Sequence, residues 1–332
     1  MFDRFGVALG TGHTADHLVA LARRSDELGF DSFWLAELYH QRSAIPVATL
    51  VGSATSRIKV GLGVLLTRTR HPALVAMEAA TLAELNGGRL LLGLGVGRVS
   101  AAFHGSPLNL LASLRDSLTI ARRLLDGEEV TFRGDAFSVE RIRLGFGLGQ
   151  KIPLYVGCYP FSPKALGLAG ALADGVLYVW TTPELVRRGN EEIFEGARRA
   201  GRDPSAIDIA AYFILSVDDD PARARDACRP TVASYTRIAH LVWRNAGLVA
   251  AEDVDPVLAA IERGGIDAGA AAVSDALIEK VALAGDPAYC RDRLREYKGT
   301  GLDLPVAYAV LGPDRMVGLE TIARKLVAPR PA

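Results

Sequence analysis

IKVGLGVLLTRTRHPALVAMEAATLAELNGGRLLLGL, residues 58–94, holds one complete strand–helix–strand unit. Ile58–Leu65 is short and apolar, as a strand buried on both faces must be. Pro72 opens a helical pattern that runs to Leu85 and stops at Asn86-Gly87-Gly88. Arg89–Leu94 is a second apolar run. Two buried strands joined by a helix make a βαβ unit.

Outward from this unit the alternation repeats. Upstream come Phe5–Leu9, a helix over Ala15–Leu28 ending at Gly29, a strand at Ser32–Ala36 and a helix at Pro46–Thr55. Downstream, strands are predicted at Ile152–Val156, Val176–Val179, Ile207–Ser216 and Leu304–Val310. Helices are predicted at Leu110–Leu125, Pro163–Ala173, Pro183–Ala200, Pro221–Tyr235 and Pro287–Tyr297. About eight units predict a closed (β/α)8 TIM barrel, with an open doubly wound sheet as the alternative. Two segments break the repeat. Residues 127–143 read as a hairpin, Val130–Arg133 and Ala136–Glu140 around Gly134-Asp135. Residues 236–283 read as a helical insertion before the last strand. With no Pro/Ser-rich linker, a single domain over residues 1–332 is expected.

The 332 residues exceed the roughly 250 a barrel needs. Lys plus Arg (38) equals Asp plus Glu (38); such a balance draws in neither nucleic acid nor an anionic membrane. Cys158, Cys228 and Cys290 are too scattered for a disulfide framework or a zinc site, which points to a reducing compartment. No secretory leader or membrane span is visible, so a soluble cytoplasmic protein is expected. No cluster has metal-ligand spacing.

A barrel carries its chemistry at the C-terminal strand ends. Gly93-Leu94-Gly95-Val96-Gly97 closes one strand and lets a ligand approach the backbone closely, or merely fits a crowded strand end. Gly157–Lys164 leads into a helix with Ser162 at the N-cap, Pro163 at the first position and Lys164 nearby. That end is either a phosphate site or an ordinary capped helix. Glu37 follows the apolar Trp34-Leu35-Ala36. It can orient a ring N–H or relay a proton; the plain alternative is a cap or an ion-pair partner.

The sequence resembles the bacterial-luciferase-like flavin and deazaflavin oxidoreductases, and among them coenzyme F420-dependent methylenetetrahydromethanopterin reductase. The likeness is carried by Phe5-Gly6-Val7, Leu28–Trp34, Arg57–Val64, Thr81–Arg89 and Leu168–Val176. Val273–Leu277, Gly285-Asp286-Pro287 and Leu311-Gly312-Pro313-Asp314 resemble that reductase in particular. The resemblance implies coenzyme F420, with FMN as the alternative, lying across the strand ends. It implies a cis peptide between Gly63 and Val64 behind the ring, with Leu65 walling the pocket beside Trp180. Glu37 would be catalytic. The coenzyme phosphate would meet Gly95, Gly97, Arg98, Gly157, Cys158, Tyr159, Ser162, Pro163 and Lys164. A small organic substrate, a homodimer or larger assembly, and hydride transfer complete the expectation; an FMN-dependent monooxygenase and a non-catalytic binding barrel are the alternatives. The chain departs from the reductase at Ala8, where that family has a glutamate, and at Glu37-Leu38, where it has an acidic residue and histidine. Sugar-phosphate dehydrogenases of the superfamily place a glutamate where Arg98 stands.

Overall fold

The computed structural model describes residues 1–38, 40–97, 109–147 and 149–328. The first elements are β1 (Gly6–Gly10), α1 (Ala15–Glu27), β2 (Ser32–Ala36), α2 (Ala44–Ala54), β3 (Lys59–Leu66), α3 (Pro72–Leu85) and β4 (Leu90–Gly95). Next come α4 (Leu110–Leu125), the hairpin β5 (Val130–Arg133) and β6 (Ser138–Ile142), β7 (Leu154–Cys158), α5 (Pro163–Leu172), β8 (Gly175–Val179) and α6 (Pro183–Arg199). The chain ends with β9 (Asp208–Val217), α7 (Pro221–Asn245), α8 (Ala251–Ala272), α9 (Asp275–Val281), β10 (Ala282–Gly285), α10 (Pro287–Arg295), β11 (Leu304–Leu311) and α11 (Arg315–Lys325). Two compact units emerge: Gly6–Ala211, and Met1–Phe5 with Tyr212–Ala332.

In the first unit the strands run in the order β1-β2-β3-β4-β7-β8, each neighbouring pair parallel. Register pairs Gly10 with Ala36, Leu66 with Gly95 and Cys158 with Tyr178. The C-terminal ends of these strands therefore lie along one edge. Side-chain anchors hold the connections. The buried Asp26 of α1 accepts from the amides of Ser56 (2.7 Å) and Ile58 (2.8 Å), fixing the approach to β3. Burial pushes its carboxyl up, but these amides and the Ser56 hydroxyl bring it below the ordinary aspartate value. Arg89 donates to the carbonyls of Gly52 (2.8 Å), Thr55 (3.1 Å) and Ile58 (2.8 Å), taking up the open end of α2.

Helices α5 and α6 touch backbone to backbone. A Cβ on Gly170 would stand 1.9 Å from the Ile193 carbonyl oxygen, and one on Gly196 would stand 2.1 Å from that of Gly167. The hairpin is tied down by Asp116 of α4, whose Oδ2 accepts from the amides of Ala136 (2.8 Å) and Phe137 (3.1 Å). Those amides serve the carboxylate rather than the ladder. The second strand thus starts at Ser138, not at the expected Ala136.

In the second unit the strand order is β10-β9-β11, with β10 parallel to β9 from Ala282↔Ile214 to Gly285↔Val217. β10 was not expected from the sequence: its four residues, Ala-Leu-Ala-Gly, have no β-branched or aromatic signature. The insertion region holds α8, broken at Gly264-Gly265, and α9. Helix α7 extends ten residues past the predicted Tyr235, to Asn245, with Pro230 inside it. Among the described residues no helix is long and apolar enough to cross a membrane, and no group of three or more His, Cys, Asp or Glu could hold a metal.

Candidate active site

The strand-end edge of the first unit gathers most of the residues singled out from the sequence. At β3 the Gly63–Val64 peptide is cis. The pairing of β3 with β4 shifts register between Leu62 and Leu65. Leu62 and Leu65 are 1 % exposed, whereas Val64 is half-buried and reaches the surface. Val64, not the expected Leu65, therefore offers an apolar face here.

The Val64 isopropyl lies over glycines of the neighbouring strands. A Cβ on Gly157 would be 2.6 Å from Val64 Cγ1, and one on Gly95 would be 2.7 Å from Cγ2. One on Gly93 would be 3.0 Å from Cγ1 and 2.3 Å from the Leu62 carbonyl oxygen. Carbon atoms in contact prefer about 3.5–4.0 Å. These glycines thus leave room for a protein side chain. Gly97 has φ +58°, and a Cβ there would stand 2.3 Å from Leu66 Cδ2. Arg98 lies outside the described residues.

Glu37, just past β2, is almost covered: its side chain is 7 % exposed. Arg70, in the loop after β3, grips it with Nη1 to Oε2 at 2.5 Å and Nη2 to Oε1 at 2.8 Å. The same Oε1 accepts from the Ala44 amide at the start of α2 (3.1 Å). Glu37 is thus both cap and ion-pair partner. Glu78 of α3 stands 4.0 Å from Arg70 Nε, and burial pushes its carboxyl up, opposed by Arg70. Sequence reasoning missed Arg70, although a cation at the next strand end is the natural partner for a covered carboxylate. It missed Gln41 too, whose carboxamide covers the end of β1, 3.0 Å from a Cβ built on Gly12.

The segment after β7 is aromatic. Tyr159 stacks on Phe161 at 5.3 Å and on Trp180 at 5.5 Å. Trp180 follows β8 with φ +52°, a left-handed backbone rare for a bulky residue. Ser162 occupies the N-cap of α5 and Pro163 its first position, but the Ser162 hydroxyl makes no cap bond. Its ψ is 74°; Thr182, which does cap α6, has ψ 163°. The first amides of α5 therefore meet no capping side chain, and the exposed Lys164 stands beside them. Such an end attracts anions. Cys158 is partly accessible, yet desolvation around its sulfur pushes the thiol up to about 12, so it stays neutral.

Residues 1–304 match the family model described as luciferase-like monooxygenase. The chain belongs to the luciferase-like monooxygenase family. Its fold is the (β/α)8 barrel of luciferase-like enzymes, which excludes the open doubly wound sheet. Among its relatives is the 5,10-methylenetetrahydromethanopterin reductase of Methanolobus tindarius, 30% identical over 97% of this chain and 99% of that protein. Among solved structures of this type, the coenzyme F420-dependent tetrahydromethanopterin reductase from Methanopyrus kandleri superposes with a TM-score of 0.88. It is 27% identical, covering 98% of this chain and 99% of that one. An F420-dependent secondary alcohol dehydrogenase in complex with an F420–acetone adduct gives 0.80 at 21% identity over 98% of each chain, a likeness of fold.

Proposed function

We propose that the chain is a coenzyme F420-dependent oxidoreductase that moves a hydride between the deazaflavin and a small organic substrate, a pterin-like one-carbon carrier first among the candidates. One observation carries the reading: the Val64 face lies over Gly157, and Gly157 leads within six residues to the uncapped start of α5. An apolar wall suits a flat ring, and open amides suit a phosphate. The full-length likeness to F420-dependent reductases supports the same choice.

The bound deazaflavin would supply the hydride-carrying chemistry. Gly63 and Val64 would back the ring, with Leu65 buried behind them. Gly97, Cys158, Tyr159, Ser162, Pro163 and Lys164 would hold the phosphate end, while Gly95 and Gly157 would make room for Val64. The Tyr159–Trp180 stack would exclude water. Glu37 has both oxygens engaged, so it would act by orienting the substrate side and not as a ready proton acceptor.

Titrating the purified protein with F420 and with FMN, followed by fluorescence, tests the reading. Micromolar or tighter F420 binding, with turnover of methylenetetrahydromethanopterin, is expected. Tight FMN binding without F420 affinity would overturn it in favour of a flavin monooxygenase. Bound F420 that no substrate ever oxidises or reduces would mark a binding-only barrel.

The proposal extends to a homodimer in the cytoplasm. Leu74, Met77 and Leu85 are exposed along one face of α3, and Leu50 is exposed on the neighbouring α2. Such a stripe is ordinarily covered by a partner. Three free thiols suit a reducing compartment. Light scattering should give twice the chain mass, and Met77→Glu should return a monomer.

A further inference from the structure

Arg315 opens α11, four residues after the end of β11. It is half-buried, and desolvation holds its guanidinium below the ordinary arginine value, with no charge opposing the effect. Its polar contact is the Ala309 carbonyl at 3.5 Å, the outer limit of a hydrogen bond. Among the described residues no carboxylate comes within ion-pair distance of it. Two other half-buried arginines of this unit do have counter-charges: Arg225 pairs with Asp275 at 2.8 Å, and Arg229 with Asp275 at 2.6 Å and Asp226 at 2.8 Å. A desolvated cation without a counter-charge is costly and persists where something else is gained.

The backbone beneath it is unusual as well. Ala309 has φ +73° and Leu311 has φ +70°, both left-handed without being glycine. Such residues cluster at functional positions. Gly318 lets α11 sit directly on this strand end: a Cβ there would stand 2.3 Å from the Leu311 carbonyl oxygen. The helix start, and Arg315 with it, is thereby fixed at the C-terminal end of a barrel strand, where (β/α)8 enzymes take their ligands.

We infer that Arg315 is an anion-binding residue that takes a carboxylate or phosphate oxygen pair from an organic ligand. A planar guanidinium whose Nη donors are uncommitted recognises such a pair by two parallel hydrogen bonds. Two sources can supply such a pair, a phosphate or an organic carboxylate.

The test uses Arg315→Met and Arg315→Lys in the full chain. With no ligand, Arg315→Met should raise Tm by about 1–3 °C, because it removes an uncompensated cation; a structural role would lower it. Inorganic phosphate, compared with chloride at equal ionic strength, should raise the Tm of the native protein but not that of Arg315→Met. For the source, citrate replaces phosphate in the same titration: stabilisation by phosphate alone assigns a phosphate, stabilisation by citrate assigns a carboxylate, and Arg315→Lys should recover part of either response. The inference is overturned if Arg315→Met lowers Tm, or if its phosphate and citrate responses stay within twofold of those of the native protein.

Discussion

The glycines around Val64 predict a graded rescue experiment. In Gly157→Ala the new Cβ would sit 2.6 Å from Val64 Cγ1 and 3.4 Å from Cγ2, but 3.6 Å from Val64 Cβ. Only the two methyls are in the way. Overpacking of this kind costs about 1–3 kcal/mol. In a Val64→Ala background the nearest of these atoms is the Cβ, at ordinary contact distance, so most of the cost should vanish. Gly95→Ala meets Val64 Cγ2 at 2.7 Å and also the Gly157 carbonyl oxygen at 3.2 Å, so its rescue should be partial. Gly93→Ala meets the Leu62 carbonyl oxygen at 2.3 Å, which no change at Val64 relieves. Urea denaturation of the three single variants, Val64→Ala and the three doubles gives the coupling energies. We expect about 1–2 kcal/mol for Gly157, less for Gly95 and near zero for Gly93. F420 affinity should follow the same order, each tenfold loss corresponding to about 1.4 kcal/mol. Equal couplings at the three positions, or none at Gly157, would refute this packing of Val64 on the two neighbouring strands.

Arg70→Met should cost about 2–3 kcal/mol, below the range for a fully buried pair because Arg70 keeps some exposure. Glu37→Leu/Arg70→Met should recover much of it; a single-variant cost under about 0.5 kcal/mol by urea midpoint sinks the ion-pair account. Asp174 takes the Lys151 ammonium at 2.6 Å, the Leu154 amide at 2.8 Å and the Arg122 guanidinium. Burial raises its carboxyl, but these partners bring it below the ordinary value. Its stabilising share is therefore complete above the unfolded value of about 3.9 and is lost as pH falls through the lower folded one. The stability gap between native protein and Asp174→Asn should stay constant from about pH 6 to 8 and close below about pH 4; a gap that widens in acid contradicts this sign. Cys158, held at about 12, should react with iodoacetamide at pH 8 roughly a thousandfold more slowly than a small thiol. Labelling within minutes, traced by peptide mapping, would show its sulfur to be ionised.

Strand and helix alternation was legible because buried parallel strands must be apolar runs and the helices between them carry Pro and Gly punctuation. Ser32–Ala36 and Leu110–Leu125 have the predicted bounds. β10 was invisible because four small residues carry no periodicity, and the hairpin slipped by two residues because Asp116 binds its turn from another helix. The cis position at Gly63–Val64 followed from the family resemblance. What it supports did not: the glycines of β4 read either as room for a ligand or as a fit to a crowded strand end, and three-dimensional packing places Val64 over them and over Gly157. Glu37 was found as a covered carboxylate. Its partner stands 33 residues away, and nothing short of the fold brings Arg70 to it. Arg315 escaped notice because an arginine after a strand is ordinary until the absence of a neighbouring carboxylate is seen.

The contact of α5 with α6 has a bearing on how such a barrel can diversify. Because Gly170 and Gly196 meet main-chain oxygens directly, the position of α5 is set by polypeptide spine against polypeptide spine, with no side chain as spacer. The loop from Cys158 to Ser162 can therefore exchange its residues, and with them its choice of ligand, without shifting the helix end that follows. Alanine at either glycine would move the whole landing point, so tolerance to change should drop abruptly from the loop to Gly170 in the third turn of the helix.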